Sequence, residues 1–404
     1  MKWTSWTQAV DVARRGRFLL MMAAALSYGP ATWAQEVQGI TKNEVLLGSV
    51  QDLSGPLVAV SKPLIGGMTM RIEQINASGG IHGRKLRLLI EDSSFDPKKA
   101  IVAVQKLVSS DKVFAVVGSA GTGIALATAP LVVDKGVLHL FPAAAAREVF
   151  EPVHKYKFAM LTPYDVETRA GLKYLLQTKK YKRVGIVYQD EAFGLDVLKA
   201  TEAVLKENNL PLIEKTSYKR GATDFSSQVQ RLKEANVDLV VLGAAVRETV
   251  SAVTALRQLG YQGDFMGTQG TFHKDIPKMG GAAMEGLMSV SGYPMMYRDD
   301  PKNPAELNAF MDTYTKRFGQ DADQYSATGY IAIDLLAMAL QKAGPNPTPD
   351  SVAAALEQVT FPRGYLGNPD YEFGPGRHLG AATVRISQVN NGRWVVVSDY
   401  LKLN

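Results

Sequence analysis

The sequence predicts an α/β protein built as two doubly wound domains. Three observations carry this. Short apolar runs of strand length alternate with helical stretches of about a dozen residues, the pattern of βαβ units with largely parallel sheets. The alternation runs twice, restarting near Leu161–Thr162. And 404 residues, 46% hydrophobic and 21% charged, leave room for two globular cores.

The N-terminus reads as an export signal. Lys2, Arg14, Arg15 and Arg17 form a basic flank, and Phe18 to Tyr28 is an apolar run too short to span a bilayer. Thr32-Trp33-Ala34 then offers a small-x-small cleavage site before Gln35. The Arg14-Arg15 pair hints at twin-arginine export, but Phe18 stands one residue further away than that motif places it, which favours general secretion. Residues 1–34 hold four positive charges and one negative, Asp11, so cleavage lowers the formal net charge from +6 to +3. The basic balance is thus partly the signal. Without a Lys/Arg cluster interleaved with aromatics, it does not point to nucleic acid. The absence of cysteine excludes thiolate chemistry, Cys-ligated metals and an N-acyl-cysteine lipid anchor.

In order, Glu44 to Val50 reads as a strand entering the polar turn Gln51 to Pro56, and Pro63 to Ile75 as the first helix. The stretch Ile75 to Thr122 is a complete alternating unit. The turn Asn76 to Gly80 closes the helix, and Leu86 to Glu91 forms a strand. Asp96 and Pro97 open the helix Pro97–Ser109 as N-cap and first residue, with Ile101, Val104, Leu107 and Val108 on one face. The apolar strand Val113 to Val117 runs into Gly118 to Thr122. A short helix (Thr128–Lys135) and a strand (Val137–Phe141) complete the first run.

The second run has helices at Thr168–Lys179, Gly194–Asn208, Asp224–Ala235 and Glu248–Leu259. Its strands fall at Arg183–Tyr188, Leu212–Tyr218, Leu239–Leu242, Phe265–Gly267 and Gly286–Ser291. Helices Pro304–Phe318, Tyr325–Lys342 and Asp350–Val359 follow. Strands Gly380–Val389 and Arg393–Leu401 close the chain as a hairpin through Asn390-Asn391-Gly392.

Enzyme signatures do not emerge. The five histidines (His82, His139, His154, His273, His378) form no HExxH, and there is no GxSxG elbow and no phosphate-binding GxxxxGK[ST]. Gly118-x-x-Gly121-x-Gly123 has the wrong spacing for a dinucleotide fingerprint, so no cofactor is expected. What remains is a set of small polar turns at strand ends: Ser54-Gly55, Ser119 to Thr122 and Ala143 to Ala145 in the first half, and Phe193, Ala245 to Glu248 and Gln269 in the second. Turn and helix-start N–H groups suit a carboxylate, and a threonine hydroxyl adds a donor that does not titrate.

Leu53-Ser54-Gly55-Pro56, Ile75 to Leu86, Asp96-Pro97 with its helix, and the strand end Val116-Val117-Gly118 together resemble the periplasmic leucine/isoleucine/valine-binding protein family, solute receptors of ABC importers. The resemblance covers nearly all of Ile40–Asn404. It implies two Rossmann-like lobes in a type I periplasmic binding clamshell, joined by a hinge that the chain crosses three times. Residues 35–161 with 293–378 would form one lobe, and 162–292 with 379–404 the other. It also implies a periplasmic location, a membrane permease as partner, no nucleic acid and no catalysis.

Carried over by position, Thr122 matches the hydroxyl donor to the ligand α-carboxylate, and Ala143 a residue whose backbone grips it. Ala145 replaces a usual Thr, Phe193 a frequent Tyr and Ala245 a common Tyr, while Tyr325 matches an aromatic near the hinge. The largest departure is Gln269, where amino-acid binders place the acid that pairs with the α-ammonium. A buried ammonium without that partner is costly. The expected role is a receptor of the branched-chain amino acid type for a small carboxylate-bearing ligand, and Gln269 opens the alternative of a carboxylate lacking an ammonium, a small aromatic or aliphatic acid, or an amide in place of Leu, Ile or Val. Ser54 and Arg247 are further candidates to face the cleft. Asp52 or Glu248 would restore the missing charge if the ligand is an amino acid. A sensor of the same fold, reporting ligand to a regulatory partner, is the alternative role.

Overall fold

The computed structural model describes residues 37–402, except residue 382. The export signal expected over residues 1–34 lies outside them. Two parallel-rich sheets, each flanked by helices, make two lobes.

The first sheet contains β1 (Glu44–Gln51), β2 (Lys85–Asp92), β3 (Ala115–Val117), β4 (Leu138–Leu140) and β5 (Lys157–Phe158) in the order β2-β1-β3-β4-β5, all parallel. Leu47, Ala115 and Leu138 stand in register across β1, β3 and β4, and none of the three is exposed. Covering helices on both faces explain why β3 reads as an unbroken apolar run rather than an alternating one. The helices connecting these strands are α1 (Val58–Ala77), α2 (Pro97–Gln105) and α3 (Thr122–Val133). Asp96 caps α2 as its sequence indicates, accepting the N–H groups of Lys98 and Lys99.

Between the sheets the chain continues through α4 (Tyr164–Lys179), β6 (Val184–Gln189), α5 (Ala192–Glu207), β7 (Leu212–Tyr218), α6 (Ser226–Glu234), β8 (Leu239–Gly243), α7 (Val246–Gln258), β9 (Asp264–Gly267), α8 (Asp275–Gly280) and β10 (Met288–Ser291). After α9 (Ala305–Phe318), α10 (Gln324–Ala343), α11 (Pro349–Leu356) and the small pair β11 (Thr360–Phe361) and β12 (Tyr371–Glu372) come β13 (Thr383–Asn390), β14 (Arg393–Val396) and β15 (Leu401–Lys402). The second sheet runs β14-β13-β10-β9-β8-β6-β7, with β15 paired to β13. Its β13 and β14 are antiparallel additions, the expected hairpin. The chain passes between the sheets after β5, after β10 and before β13, and Ala159 pairs with Leu379 at two of those passages.

Helix starts depart most from the sequence reading. Helix α1 begins before Pro63 because the Asp52 carboxylate accepts the N–H groups of Gly55 and Leu57, each at 2.6 Å, and turns the chain into the helix. Helix α3 begins at Thr122 rather than Thr128, because Gly121 takes φ +100° and ends the extended segment there. Helix α4 begins at Tyr164, not Thr168, with Pro163 as its N-cap.

Helices α1 and α10 touch backbone to backbone. A β-carbon on Gly67 would lie 1.8 Å from the Ser326 carbonyl oxygen, and one on Gly329 would lie 2.1 Å from that of Leu64. Helix α10 is fixed at that contact by a capping box between Asp323 and Ser326. Arg71 on α1 reaches Asp334 on α10 at 2.8 Å. At the start of α4, Glu167 is 1% exposed, and one carboxyl oxygen accepts the N–H of Gln269 at 3.1 Å while the other has no partner among the described residues. Burial pushes its pKa well above the usual carboxylate value, opposed by that N–H.

Gly67→Ala is expected to cost about 1–3 kcal/mol or more, since neither helix backbone can yield, and urea unfolding measures this. For Glu167, a folded pKa above the unfolded one means its stabilising contribution is complete below about pH 4.3 and falls as pH rises toward the folded value. Glu167→Gln should therefore melt higher than the parent at pH 8, with the two melting temperatures converging near pH 4.

A candidate ligand cleft between the lobes

Parallel strands deliver their C-terminal turns to one edge of a sheet, and the two sheets present those edges to each other. Between them lies a cavity of about 720 Å³, its mouth included. From the first lobe come Leu57, Val60, Phe95, Gly121, Thr122 and Ala143. Gln189, Glu191, Phe193, Ala245, Val246 and Gln269 face them. Leu161 and Tyr164 border the passage between sheets, and Tyr325 enters from α10.

The turn after β3 is held by ladder bonds that outrun the strands. Ala120 N–H donates to Val50, Ala143 N–H to Ser119 at 2.8 Å, and Gly121 N–H to Ala143 at 3.1 Å. Helix α3 then starts abruptly, and among the described residues no side chain caps its first N–H groups. An uncapped helix start at a cavity wall is a ready anion site. The Thr122 hydroxyl lies 3.5 Å from that of Tyr164, whose own N–H is anchored on the Ala145 carbonyl at 2.8 Å. Burial raises the Tyr164 pKa to about 12, so it remains a neutral donor. Its ring meets Phe193 at 4.6 Å, closing an apolar side of the cavity.

Gln269 is fixed at three points. Its N–H goes to Glu167, its carbonyl accepts the Tyr325 hydroxyl at 3.3 Å, and its Nε2 donates to the Thr162 carbonyl at 3.0 Å. Its side-chain oxygen has no hydrogen-bond partner among the described residues, which makes it an acceptor without charge. Among the described residues Glu191 contributes the one carboxylate of the wall, and Arg220 already occupies it, with Nε 3.0 Å from Oε1.

Of the residues singled out from sequence, Thr122, Ala143, Phe193, Ala245, Gln269 and Tyr325 line this cavity together. Ser54, Ala145 and Arg247 do not. The Ser54 hydroxyl is spent on Asp92 at 2.8 Å in an exposed turn. Ala145 is 1% exposed within the apolar cluster that includes Leu172. Arg247 is exposed in the first turn of α7. The Ala143 N–H is committed to Ser119 and its carbonyl accepts the Gly121 N–H, while the first N–H groups of α3 open beside them. Neither substitute acid reaches the cavity. Asp52 is consumed by the entry to α1, and Glu248 is buried in α7. Sequence reasoning missed Phe95, Tyr164 and Glu191. Pro163-Tyr164-Asp165 was a readable helix start, whereas nothing local marks Phe95, which sits at φ +55° in a turn.

The family model described as periplasmic binding protein matches residues 44–393. The leucine-, isoleucine-, valine-, threonine- and alanine-binding protein of Pseudomonas aeruginosa is 28% identical over 318 residues, covering 78% of this chain and 83% of that one. The branched-chain amino acid ABC transporter structure from Thermus thermophilus with bound valine superposes with a TM-score of 0.80 at 19% identity, over 90% of this chain and 97% of that one. A solute-binding protein from R. palustris in complex with benzoate does so with a TM-score of 0.78 at 16% identity, over 88% and 96%. With the two sheets, the cleft between them and a family model spanning most of its length, this chain belongs to the periplasmic binding protein family.

Proposed function

We propose that the protein is an exported receptor that closes its lobes over a small carboxylate-bearing solute and presents the closed form to an ABC permease in the membrane. The observation that carries this reading is the uncapped start of α3, flanked by the Thr122 and Tyr164 hydroxyls, opening into a mostly apolar cavity. The carboxylate docks on that helix start. Tyr164 supplies the hydroxyl that the Ala145 position lacks. Phe193, Ala245 and Gln269 then close from the second lobe. Closure is a population shift, driven by contacts that exist only when both walls reach the ligand. Cleavage near Ala34 releases the receptor, and residues 35–161 with 293–378 move against residues 162–292 with 379–404. The strand content of the two sheets supports that division.

The ligand we favour carries no ammonium. Among the described residues Glu191 is the one acid of the wall, it is taken by Arg220, and Gln269 offers a neutral oxygen. The benzoate-bound neighbour is a precedent for such cargo in this fold. A branched-chain amino acid is the second reading, favoured by the ligands named for the Pseudomonas relative and by the valine of the Thermus structure.

Calorimetry of purified protein against benzoate and leucine separates the two readings: benzoate should bind more tightly, and tight leucine binding would sink the first. Thr122→Val should weaken a bound carboxylate roughly tenfold to hundredfold, the worth of one hydrogen bond to a charged group, without lowering the melting temperature by more than a few degrees.

A further inference from the structure

Arg220 joins the two lobes at the edge of the cavity. It stands in the turn after β7, and its guanidinium holds Glu191 through Nε at 3.0 Å and through a second nitrogen. A further nitrogen donates to the Phe95 carbonyl of the opposite lobe, and the guanidinium carbon lies 4.3 Å from the Phe95 ring centre. Gln189 Nε2 adds a third donor to Glu191, at 3.1 Å. The acid and the arginine are only 30% and 22% exposed, so solvent screens the pair incompletely.

Phe95 is prepared for this contact. It occupies the left-handed region at φ +55°, unusual for a bulky side chain, a strain that its surroundings must hold. Its ring edge fills the space beside Gly121, where a β-carbon would come within 2.7 Å of it. Gly123, in the first turn of α3, is also within reach: a β-carbon there would meet Arg220 at 3.4 Å and Glu191 at 3.9 Å. The pair therefore borders the helix start at which the ligand head group docks.

We propose that Arg220 sets ligand specificity by masking Glu191, the wall's one carboxylate, from any ligand ammonium while tying the second lobe to Phe95 of the first. The inference rests on the carboxylate-receptor reading above and names the residue that enforces it. An α-amino acid entering this cleft must displace Arg220 to reach Glu191, which would strand the guanidinium on a carbonyl and a ring. A carboxylate without an ammonium leaves the pair intact. Specificity here comes from what the wall refuses as well as from what it binds.

The experiment is calorimetry with leucine and benzoate on the parent, Arg220→Gln, Glu191→Gln and the double variant, each checked for folding by its melting curve. Arg220→Gln should gain leucine affinity by about tenfold or more. The double variant should lose that gain, and Glu191→Gln alone should show none. Leucine affinity unchanged in Arg220→Gln, or a gain retained in the double variant, overturns the masking role. A latch without masking predicts a uniform loss for both ligands in Arg220→Gln, which also overturns it. If Arg220→Gln does not fold, Arg220→Lys replaces it: a single ammonium cannot hold Glu191 through two nitrogens and Phe95 through a third, so a smaller gain in leucine affinity is expected, and its absence overturns the proposal. The parent curves report on the receptor reading separately, since weak parent leucine binding with no change in the variant sinks the masking alone.

Discussion

Parallel pairing is the constraint from which the site follows. Because β1, β3 and β4 run the same way, the turns after Gln51, Val117 and Leu140 are delivered to one edge. The same holds for β6, β8 and β9, whose turns bring Glu191, Ala245 and Gln269 to the facing edge. The bonds between Ser119, Ala143 and Gly121 carry the ladder beyond the strands and set where α3 must begin. Remove that register and the uncapped helix start no longer faces a cavity.

The cleft is electrostatically lean. Its positive element is a helix start rather than a free cation, its hydroxyls stay neutral, and its one wall carboxylate is paired. Such a wall suits a charged head group only where oriented dipoles meet it, and the rest of its lining, with Val60, Phe193 and Tyr325, offers apolar surface. Buried Glu167 fits the same pattern. It holds the backbone of Gln269 in place, and its burial disfavours the charged form next to the cavity.

Much of the fold was legible because its signals are local. Asp96-Pro97 announced α2, the apolar run announced β3, and Asn391-Gly392 announced the final hairpin. Where the reading slipped, a distant residue had intervened. Asp52 starts α1 ahead of Pro63, and β5 is only two residues long and exists because β4 pairs with it. The α1–α10 contact was invisible for the same reason: Gly67 and Gly329 are hundreds of positions apart, and their lack of side chains matters only where the helices cross.

The site divides along the same line. Sequence alone determined the alternating architecture, the turns at strand ends, and the presence of Thr122, Phe193, Gln269 and Tyr325 at positions that could converge. Tertiary structure decided which turns meet, that Ser54, Ala145 and Arg247 stay outside, that the Ala143 N–H is already spent, and that Glu191 is covered by an arginine nearly thirty residues away. The reason is physical. Strand and helix periodicity are written in neighbouring residues, whereas the charge state and free hydrogen-bonding capacity of a cleft depend on partners that only the folded chain brings within reach.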